Sequence, residues 1–188
     1  HNDGTIHLND IKNAIRKKDV HFPPSRLICL ENTHNRCFGM PLETNYVNEV
    51  VDIAKNNDMS VHVDGARIFN AAVATGSTVA DLTKNVDSVS FCLSKGLSAP
   101  SGSLLCGDKN FIHRARFNRK ALGGGMRQAG ILAAAGVVAI DIMSAKIIED
   151  HRNAKALAVG IAKIDGIIIE IEKIKTNIIY FKLDHPKI

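Results

Sequence analysis

The sequence predicts an α/β protein whose central sheet is mainly parallel. Three short apolar runs, at residues 26–30, 60–63 and 88–93, have the length and composition of buried strands. Apolar residues at helical spacing predict helices at residues 42–56 and 79–83, between these strands. Strands that alternate with helices along a chain form parallel sheets with right-handed crossovers.

An amphipathic helix is predicted before the first strand. Leu8, Ile11 and Ile15 lie at helical spacing on one face of the first 18 residues. Two consecutive prolines at positions 23 and 24 then interrupt the chain, because proline fixes φ and removes a backbone donor. The helix is therefore expected to end before the prolines and to be separate from the first strand.

A return strand and a group of helices are predicted after the third strand. Residues 103–106 predict a strand that runs back antiparallel to its neighbour, and two or three helices follow between residues 109 and 164. The helix predicted at residues 126–148 is apolar nearly all round. We therefore expect this helix to be buried, either by neighbouring elements or by another subunit.

Two apolar segments near the end of the sequence, at residues 167–171 and 178–181, predict further strands. They follow the helical region and do not continue the alternation of the first half. The sequence thus predicts a large α/β domain at residues 1–148 and the beginning of a small C-terminal α/β domain at residues 149–188.

The net charge of +5 does not indicate a nucleic-acid partner. Basic residues are spread along the chain, and the densest cluster is short and typical of a solvated helix face: Arg114, Arg116, Arg119 and Lys120. Nucleic-acid binding requires a concentrated basic stripe or a known module. The longest uninterrupted apolar run, at residues 129–140, is too short to span a bilayer. Neither nucleic acid nor a membrane is therefore an expected partner.

The four cysteines predict a reducing environment. They show no C-x-x-C spacing, and Cys29, Cys92 and Cys106 lie within apolar runs that predict strands. Buried free thiols are expected at such positions. We therefore predict a cytoplasmic protein without a metal site.

Polar clusters directly follow the three predicted parallel strands. The first cluster contains His34, the second contains Asp64 and Arg67, and the third contains Lys95. Ligands of open parallel sheets bind beyond the carboxyl ends of the strands, so these side chains are expected around one crevice. Taken singly, Asp64 is typical of a turn before glycine and Lys95 of an exposed strand end. Together they supply the amine, carboxylate and cations that a site for pyridoxal phosphate (PLP) requires.

A glycine triplet supplies a fourth candidate element. Residues 123–125 are all glycine and precede Arg127, at the predicted start of the apolar helix. Glycine lets the backbone approach an anion closely, and the N–H groups at a helix start point towards it. We therefore expect this turn and Arg127 to contact an anion, while a flexible helix entry is the alternative interpretation of the triplet.

Four strings of sequence, in order and at matching spacing, resemble the low-specificity L-threonine aldolases. They are LENTHN (residues 30–35), HVDGARIFNA (62–71), CLSKGL (92–97) and LGGGMRQAGILAAAG (122–136). The resemblance runs through nearly the whole chain and weakens after about Ala156. It implies the large domain of a fold-type I PLP-dependent enzyme. Such an enzyme works as a homo-oligomer, a dimer or a tetramer, with active sites at subunit interfaces.

By motif match, the resemblance implies which residues hold the cofactor. Lys95 would be the Schiff-base lysine, and Asp64 would pair with the pyridinium nitrogen. Arg67 would face the phenolate side of the cofactor. Arg127 would contact the cofactor phosphate.

The resemblance also implies contacts with an amino-acid substrate. Arg67 would bind the substrate carboxylate. His34 would lie near the substrate's β-hydroxyl and would act as a catalytic group together with Lys95. Lys120 would approach a substrate site, either in its own subunit or in a neighbouring one.

The expected reaction is the retro-aldol cleavage of L-threonine, L-allo-threonine and related β-hydroxy-α-amino acids to glycine and an aldehyde. The enzyme class is a PLP-dependent aldehyde-lyase. Two alternatives stay open: another fold-type I lyase, such as a β-eliminating amino-acid lyase, and an aldolase fragment whose site is incomplete. An imidazole beside Cβ suits a substrate with a hydroxyl group and favours the aldolase over the first alternative.

The sequence departs from the family pattern in two respects. Ser98 stands where the family usually has glycine, and we expect it to strain the turn after Lys95. The family's upstream Gly-Thr phosphate loop, ring-stacking histidine and downstream carboxylate-binding arginine have no counterpart in the sequence. We therefore expect residues 1–188 alone to lack competent aldolase activity.

Overall fold

A computed structural model of the chain describes residues 1–184, and a four-stranded sheet is its central element. The strands are β1 (Leu27–Glu31), β2 (Ser60–Asp64), β3 (Ser88–Cys92) and β4 (Ser103–Gly107). They lie in the order β1-β2-β3-β4, with the first three parallel and β4 antiparallel to β3. The predicted parallel sheet and its antiparallel return strand are therefore confirmed.

Four helices accompany the parallel strands. They are α1 (Leu8–Ala14), α2 (Thr44–Lys55), α3 (Ile68–Thr75) and α4 (Val79–Thr83). The predicted helices at residues 42–56 and 79–83 are confirmed, whereas α3 was not predicted. A capping box of Thr78 and Asp81 defines the start of α4, because each side chain bonds to the other residue's backbone N–H.

The main core lies between the sheet and these helices. Alternate residues of the parallel strands, such as Leu30 on β1 and Val63 on β2, are buried against α2 and α3. The facing helix surfaces contribute Val50 and Ile68, which are fully buried. This core fixes the relative positions of the strands, and thereby the positions of the residues that follow them.

The apolar region after β4 is divided into several helices. They are α5 (Lys109–Ala121), α6 (Gly130–Asp141), a short 3-10 turn (Met143–Lys146) and α7 (Ile147–Ile161). The single helix predicted at residues 126–148 is therefore wrong. Its start is displaced because Gln128 has a positive φ of 49°, which a right-handed helix does not allow. The Ser144 hydroxyl donates to the carbonyl of Ile140 at 2.6 Å, a contact that bends helices.

Neighbouring elements of the chain do not bury this region, so the other expectation, burial by another subunit, stays a prediction. On α6, Ile131 is 84% exposed and Val137 58% exposed, and only Gly136 and Ala139 are buried. The nearest elements cover one narrow stripe of the helix, so its other faces are open. Within residues 1–184 no single helix is long and apolar enough to cross a membrane. Taken together, α6 and residues Met143–Ile161, which are bent by 46° relative to each other, have the length and composition of a possible membrane span. That likeness is one of length and composition only.

A small two-stranded sheet follows α7. It consists of β5 (Ile167–Ile169) and β6 (Phe181–Leu183), which pair antiparallel. The strand predicted at residues 167–171 is confirmed in a shorter form, and the one predicted at 178–181 begins three residues later. Between them, Ile174 packs against Ala154 and Ala158 of α7.

The cysteines are free thiols as predicted, but the expected burial is wrong. Cys29 and Cys106 are exposed, and Cys92 is half-buried. The side chains of a strand alternate between its two faces, so Cys29 lies on the open face while its neighbours Ile28 and Leu30 are buried. Every residue of β4, including Cys106, is exposed at the edge of the sheet. The cytoplasmic location inferred from these cysteines stays a prediction.

Candidate active site

The polar clusters that follow β1, β2 and β3 lie along one edge of the sheet. In the parallel register, Glu31 is paired with Asp64, and Asp64 is paired with Ser90. A cavity of about 520 Å³ opens at this edge, and Glu31, His34, Cys37 and Asp64 contribute to its lining. The sheet therefore brings two of the predicted site residues, His34 and Asp64, to one cavity.

His34 has one nitrogen that is bonded and one that is not. Its Nε2 lies 3.3 Å from a carboxylate oxygen of Glu31, whose other oxygen accepts the backbone N–H of Asn35 at 3.1 Å. Since a carboxylate only accepts, this contact keeps a proton on Nε2, and Nδ1 of the neutral ring carries the lone pair. Nδ1 is buried and has no hydrogen-bond partner within the described residues. It is therefore an unsatisfied polar atom within the described residues.

Asp64 ends β2 with an exposed carboxylate. One of its oxygens accepts the backbone N–H of Ala66 at 3.0 Å, which holds the carboxylate in the turn. A Cβ at Gly65 would lie 3.0 Å from the carbonyl oxygen of Ser90, so glycine allows this close approach to β3 without a shift of the neighbouring strand. Arg67 is the residue directly before α3, and it is half-buried. Among residues 1–184 no ion pair joins Arg67 to Asp64, so the carboxylate is not neutralised from within the turn.

Lys95 lies in the turn that follows β3, and its side chain is exposed. The turn is closed by a hydrogen bond from the N–H of Ser98 to the carbonyl of Lys95 at 2.8 Å. Leu93 and Leu97, on either side of Lys95, are buried and anchor the turn. Ser98 has a positive φ of 62°, the conformation that favours glycine, which agrees with the strain expected there.

A polar pair that was not predicted, a buried asparagine and a half-buried histidine, lies beneath this turn. Asn70 of α3 is 1% exposed, and a Cβ at Gly96 would lie 3.1 Å from its Oδ1. The Asn70 amide nitrogen lies 3.1 Å from Nε2 of His151 on α7. Burial lowers the pKa of His151, which favours the neutral ring as the acceptor of this bond. The two residues are 81 positions apart, so no spacing in the sequence signals the pair.

The cavity lining contains none of the other predicted site residues, Arg67, Lys95, Lys120 and Arg127. Lys120 and Arg127 are both exposed. Lys120 is near the end of α5 and folds over the glycine triplet, where a Cβ at Gly125 would lie 2.5 Å from its Cδ. The prediction that the triplet starts the apolar helix is wrong, because α6 begins only at Gly130. Its N–H groups therefore belong to a turn after α5.

Solved structures with a similar fold include a threonine aldolase and an aminotransferase. A putative L-allo-threonine aldolase from Listeria monocytogenes has a TM-score of 0.78 at 18% identity, covering 93% of this chain and 47% of its own. A PLP-dependent aminotransferase from Streptococcus suis has a TM-score of 0.74 at 17% identity, covering 98% of this chain and 48% of its own. The sheet thus has the fold-type I architecture of PLP-dependent enzymes, as predicted.

Sequence comparison identifies the family within that class. A family model described as beta-eliminating lyase matches residues 1–184, and the chain belongs to this family. A probable low-specificity L-threonine aldolase of Arabidopsis thaliana is 46% identical over 188 residues. The match covers 98% of this chain and 53% of the plant protein, so the chain spans about half the length of the curated relatives it matches.

The residues at the strand ends fit the cofactor that this family implies. Lys95 offers an exposed amine, and Asp64 offers an exposed carboxylate on the neighbouring strand. The buried Thr33 hydroxyl and the buried His34 Nδ1 have no partner among the described residues. PLP would use the amine for its covalent link and the carboxylate as the partner of its pyridine nitrogen, so the chemistry of Lys95 and Asp64 fits this cofactor.

Proposed function

We propose that the complete protein is a PLP-dependent aldehyde-lyase that cleaves L-threonine, L-allo-threonine and related β-hydroxy-α-amino acids to glycine and an aldehyde. One observation carries this proposal: His34, whose Nδ1 has no hydrogen-bond partner among the described residues, lines the same cavity as Asp64. An unpaired imidazole nitrogen is the group that a hydroxyl substrate requires. The similarity to a probable low-specificity L-threonine aldolase supports the same reaction.

Lys95 and Asp64 would hold the cofactor. The Lys95 amine would bind PLP covalently, and the Asp64 carboxylate would keep a proton on the pyridine nitrogen. When bound, PLP supplies an electron sink for the bond that breaks at Cα. Arg67 would face the phenolate side and the substrate carboxylate, while Arg127 would contact the phosphate and Lys120 the substrate.

His34 would remove the proton of the β-hydroxyl. Glu31 keeps the proton on Nε2, so the lone pair of Nδ1 is free to accept another. As the O–H bond breaks, its electrons form the aldehyde C=O bond and the Cα–Cβ bond is cleaved. The remaining two carbons leave as glycine once a proton is returned to Cα.

The exposed apolar surface of α6 favours a homo-oligomer. Ile131, Val137 and Val138 are each more than half exposed, and an apolar surface of this kind marks an interface. Lys120 and Arg127 lie on the chain just before α6. We propose that they approach an active site formed with another subunit, in a dimer or a tetramer.

The test is a substrate panel with the complete protein and PLP. Threonine, allo-threonine and serine would be compared with tyrosine, and glycine, aldehydes, pyruvate and phenol would be measured. Glycine and acetaldehyde from threonine are the expected products. Pyruvate or phenol as the main product would instead support the β-eliminating lyase, the function named by the family description.

The role of His34 is tested by His34→Phe in the same protein. We expect kcat/KM for threonine to fall by about 10²–10⁴-fold, as for loss of a general base. The visible absorbance of lysine-bound PLP should be unchanged, since His34 does not hold the cofactor. His113→Phe, at an exposed position of α5, is the control and should retain parental kinetics. Parental kinetics in His34→Phe would exclude His34 as the base.

A further inference from the structure

The loop that carries His34 is bonded to a segment more than 130 residues away in sequence. We call residues 32–40 the His34 loop and residues 173–180 the C-terminal segment. The Thr176 hydroxyl donates to the carbonyl of Gly39 at 3.0 Å, and the Tyr180 hydroxyl donates to the carbonyl of Asn35 at 2.9 Å. Thr176 is 1% exposed, so its hydrogen bond is shielded from water.

Side-chain packing reinforces these two bonds. The rings of Phe38 and Tyr180 meet edge to face with centroids 5.3 Å apart, and the Lys173 ammonium lies 4.8 Å from the centroid of Phe38. Gly39 has a φ of 65°, and a Cβ there would lie 2.6 Å from the Thr176 hydroxyl oxygen. The two surfaces are therefore matched closely enough that Gly39 tolerates no side chain.

Within the loop, Gly39 is linked directly to His34. The backbone N–H of Gly39 donates to the carbonyl of His34 at 3.1 Å, and His34 forms a β-bridge with Met40. Asn35, the other residue bonded by the segment, follows His34 and donates its N–H to Glu31. The C-terminal segment therefore bonds to two loop residues that follow the histidine, Asn35 directly after it and Gly39 at the other end of the turn.

We propose that Thr176 and Tyr180 are positioning residues for His34, which act by holding the His34 loop in place. This proposal rests on the proposed function of His34 as the base. A displacement of about 1 Å in a reacting group can cost on the order of a hundredfold in rate, so the placement of Nδ1 matters as much as its chemistry. Neither residue is part of the cavity lining to which Glu31, His34 and Asp64 contribute.

The experiment uses the complete protein with PLP and the paired variant Thr176→Val, Tyr180→Phe. Valine keeps the shape of threonine, and phenylalanine keeps the ring contact with Phe38, so only the two hydroxyl groups are removed. Loss of these bonds should raise amide hydrogen exchange in a peptide covering residues 32–40 by about threefold to tenfold. The kcat for threonine should fall by a similar factor, with KM and the PLP absorbance unchanged. Thr176→Ser keeps a hydroxyl group, so it should retain most of the kcat that is lost in Thr176→Val.

Two comparisons separate positioning from general damage. Exchange of the glycine α-proton needs no β-hydroxyl base, so its rate should stay at the parental level in the paired variant. In the His34→Phe background, the paired variant should cause no additional loss of threonine cleavage. The proposal would be overturned if the paired variant lost α-proton exchange of glycine. It would also be overturned if the paired variant lowered threonine cleavage by the same factor in the His34→Phe background as in the parental protein.

The outcomes also distinguish this proposal from the proposed function. If the parental protein cleaves no β-hydroxy-α-amino acid, or if His34→Phe is fully active, the proposed function of His34 is wrong. If the parent is active and His34→Phe is not, while the paired variant shows parental loop exchange and kcat, only the positioning role is wrong.

Discussion

The strand ends and the α5–α6 region both carry predicted site residues, but they position them differently. At the strand ends, Asp64 is paired with Glu31 and Ser90 by sheet register, and the turn of Lys95 is anchored by buried leucines. In the α5–α6 region, no residue of α5 is buried, and most of α6 is exposed. Lys120, near the end of α5, and Arg127, in the segment before α6, are therefore both exposed side chains in a region with little burial.

This difference indicates which residues can function within one chain. A side chain at a strand end is oriented by the hydrogen bonds of the sheet and by the core beneath it. A side chain on an exposed apolar helix acquires a fixed position only when another surface covers that helix. We therefore expect substitutions at the strand ends to affect chemistry directly, and substitutions on α6 to affect it through assembly.

The largest expected loss of activity comes from replacing Lys95 at the strand ends, and Lys120 of the α5–α6 region is the residue for comparison. In the complete protein, Lys95→Ala should lower threonine cleavage by on the order of 10⁴-fold or more, because it removes a member of a catalytic unit. The visible absorbance of lysine-bound PLP should also disappear. Lys120→Ala should keep that absorbance. Borohydride reduction followed by peptide mapping gives a direct check, and an adduct on Lys120 would refute the assignment.

Two aspartates at opposite ends of the parallel strands should differ in what their substitution changes, activity in one case and stability in the other. Asp64→Ala should weaken PLP binding and lower turnover by about 10²–10³-fold, as for loss of a preorganised electrostatic group. Asp87, whose carboxylate accepts the N–H of Val61 at 2.7 Å, lies at the other end of the strands. Asp87→Ala should instead lower the free energy of unfolding by about 1.5–3 kcal/mol. Near-parental turnover in Asp64→Ala would contradict its role.

A smaller effect is expected from the exposed surface of α6. Ile131→Glu places a charge on a residue that is 84% exposed in the chain and that we propose to be buried by another subunit. The dissociation constant of the oligomer, measured by sedimentation, should rise about tenfold to a hundredfold, as expected for loss of a buried aliphatic side chain. Val20→Glu is a matched control, since Val20 is 97% exposed and lies outside this region. Equal behaviour of the two variants would exclude an interface at α6.

The smallest effect concerns the pair beneath the Lys95 turn. Burial lowers the pKa of His151 below its ordinary value of 6.5, so the unfolded chain takes up this proton at higher pH than the folded protein does. Its contribution to stability is therefore present above about pH 6.5 and is lost as the pH falls below that value. Urea unfolding of the complete protein between about pH 7.5 and pH 5 should show this decline, and His151→Gln should make it shallower. An unchanged slope in His151→Gln would show that the Asn70 contact does not depend on the charge of His151.

The sequence indicated the sheet and its strand-end residues because both are local properties. Alternation of short β-branched runs with helical spacing is enough to predict parallel strands, and the residue that follows each strand is then assigned to one edge. The helix α3 was not predicted, because its eight residues follow directly after the Asp64 turn and its start has no capping side chain. The roles of Lys95, Asp64, Arg67, Arg127, His34 and Lys120, and the domain division near residue 148, stay predictions.

By itself, then, the sequence determined the order of strands and helices, the polar clusters at the strand ends and the family to which they belong. Only the tertiary structure decided that Nε2 of His34 pairs with Glu31, that Nδ1 is buried without a partner, and that Thr176 and Tyr180 hold the loop. It also decided that the chain's own elements leave most of α6 exposed. The physical reason is the range of the interactions: periodicity and turn chemistry act within a few residues, whereas these contacts join residues brought together only by the packing of the whole chain.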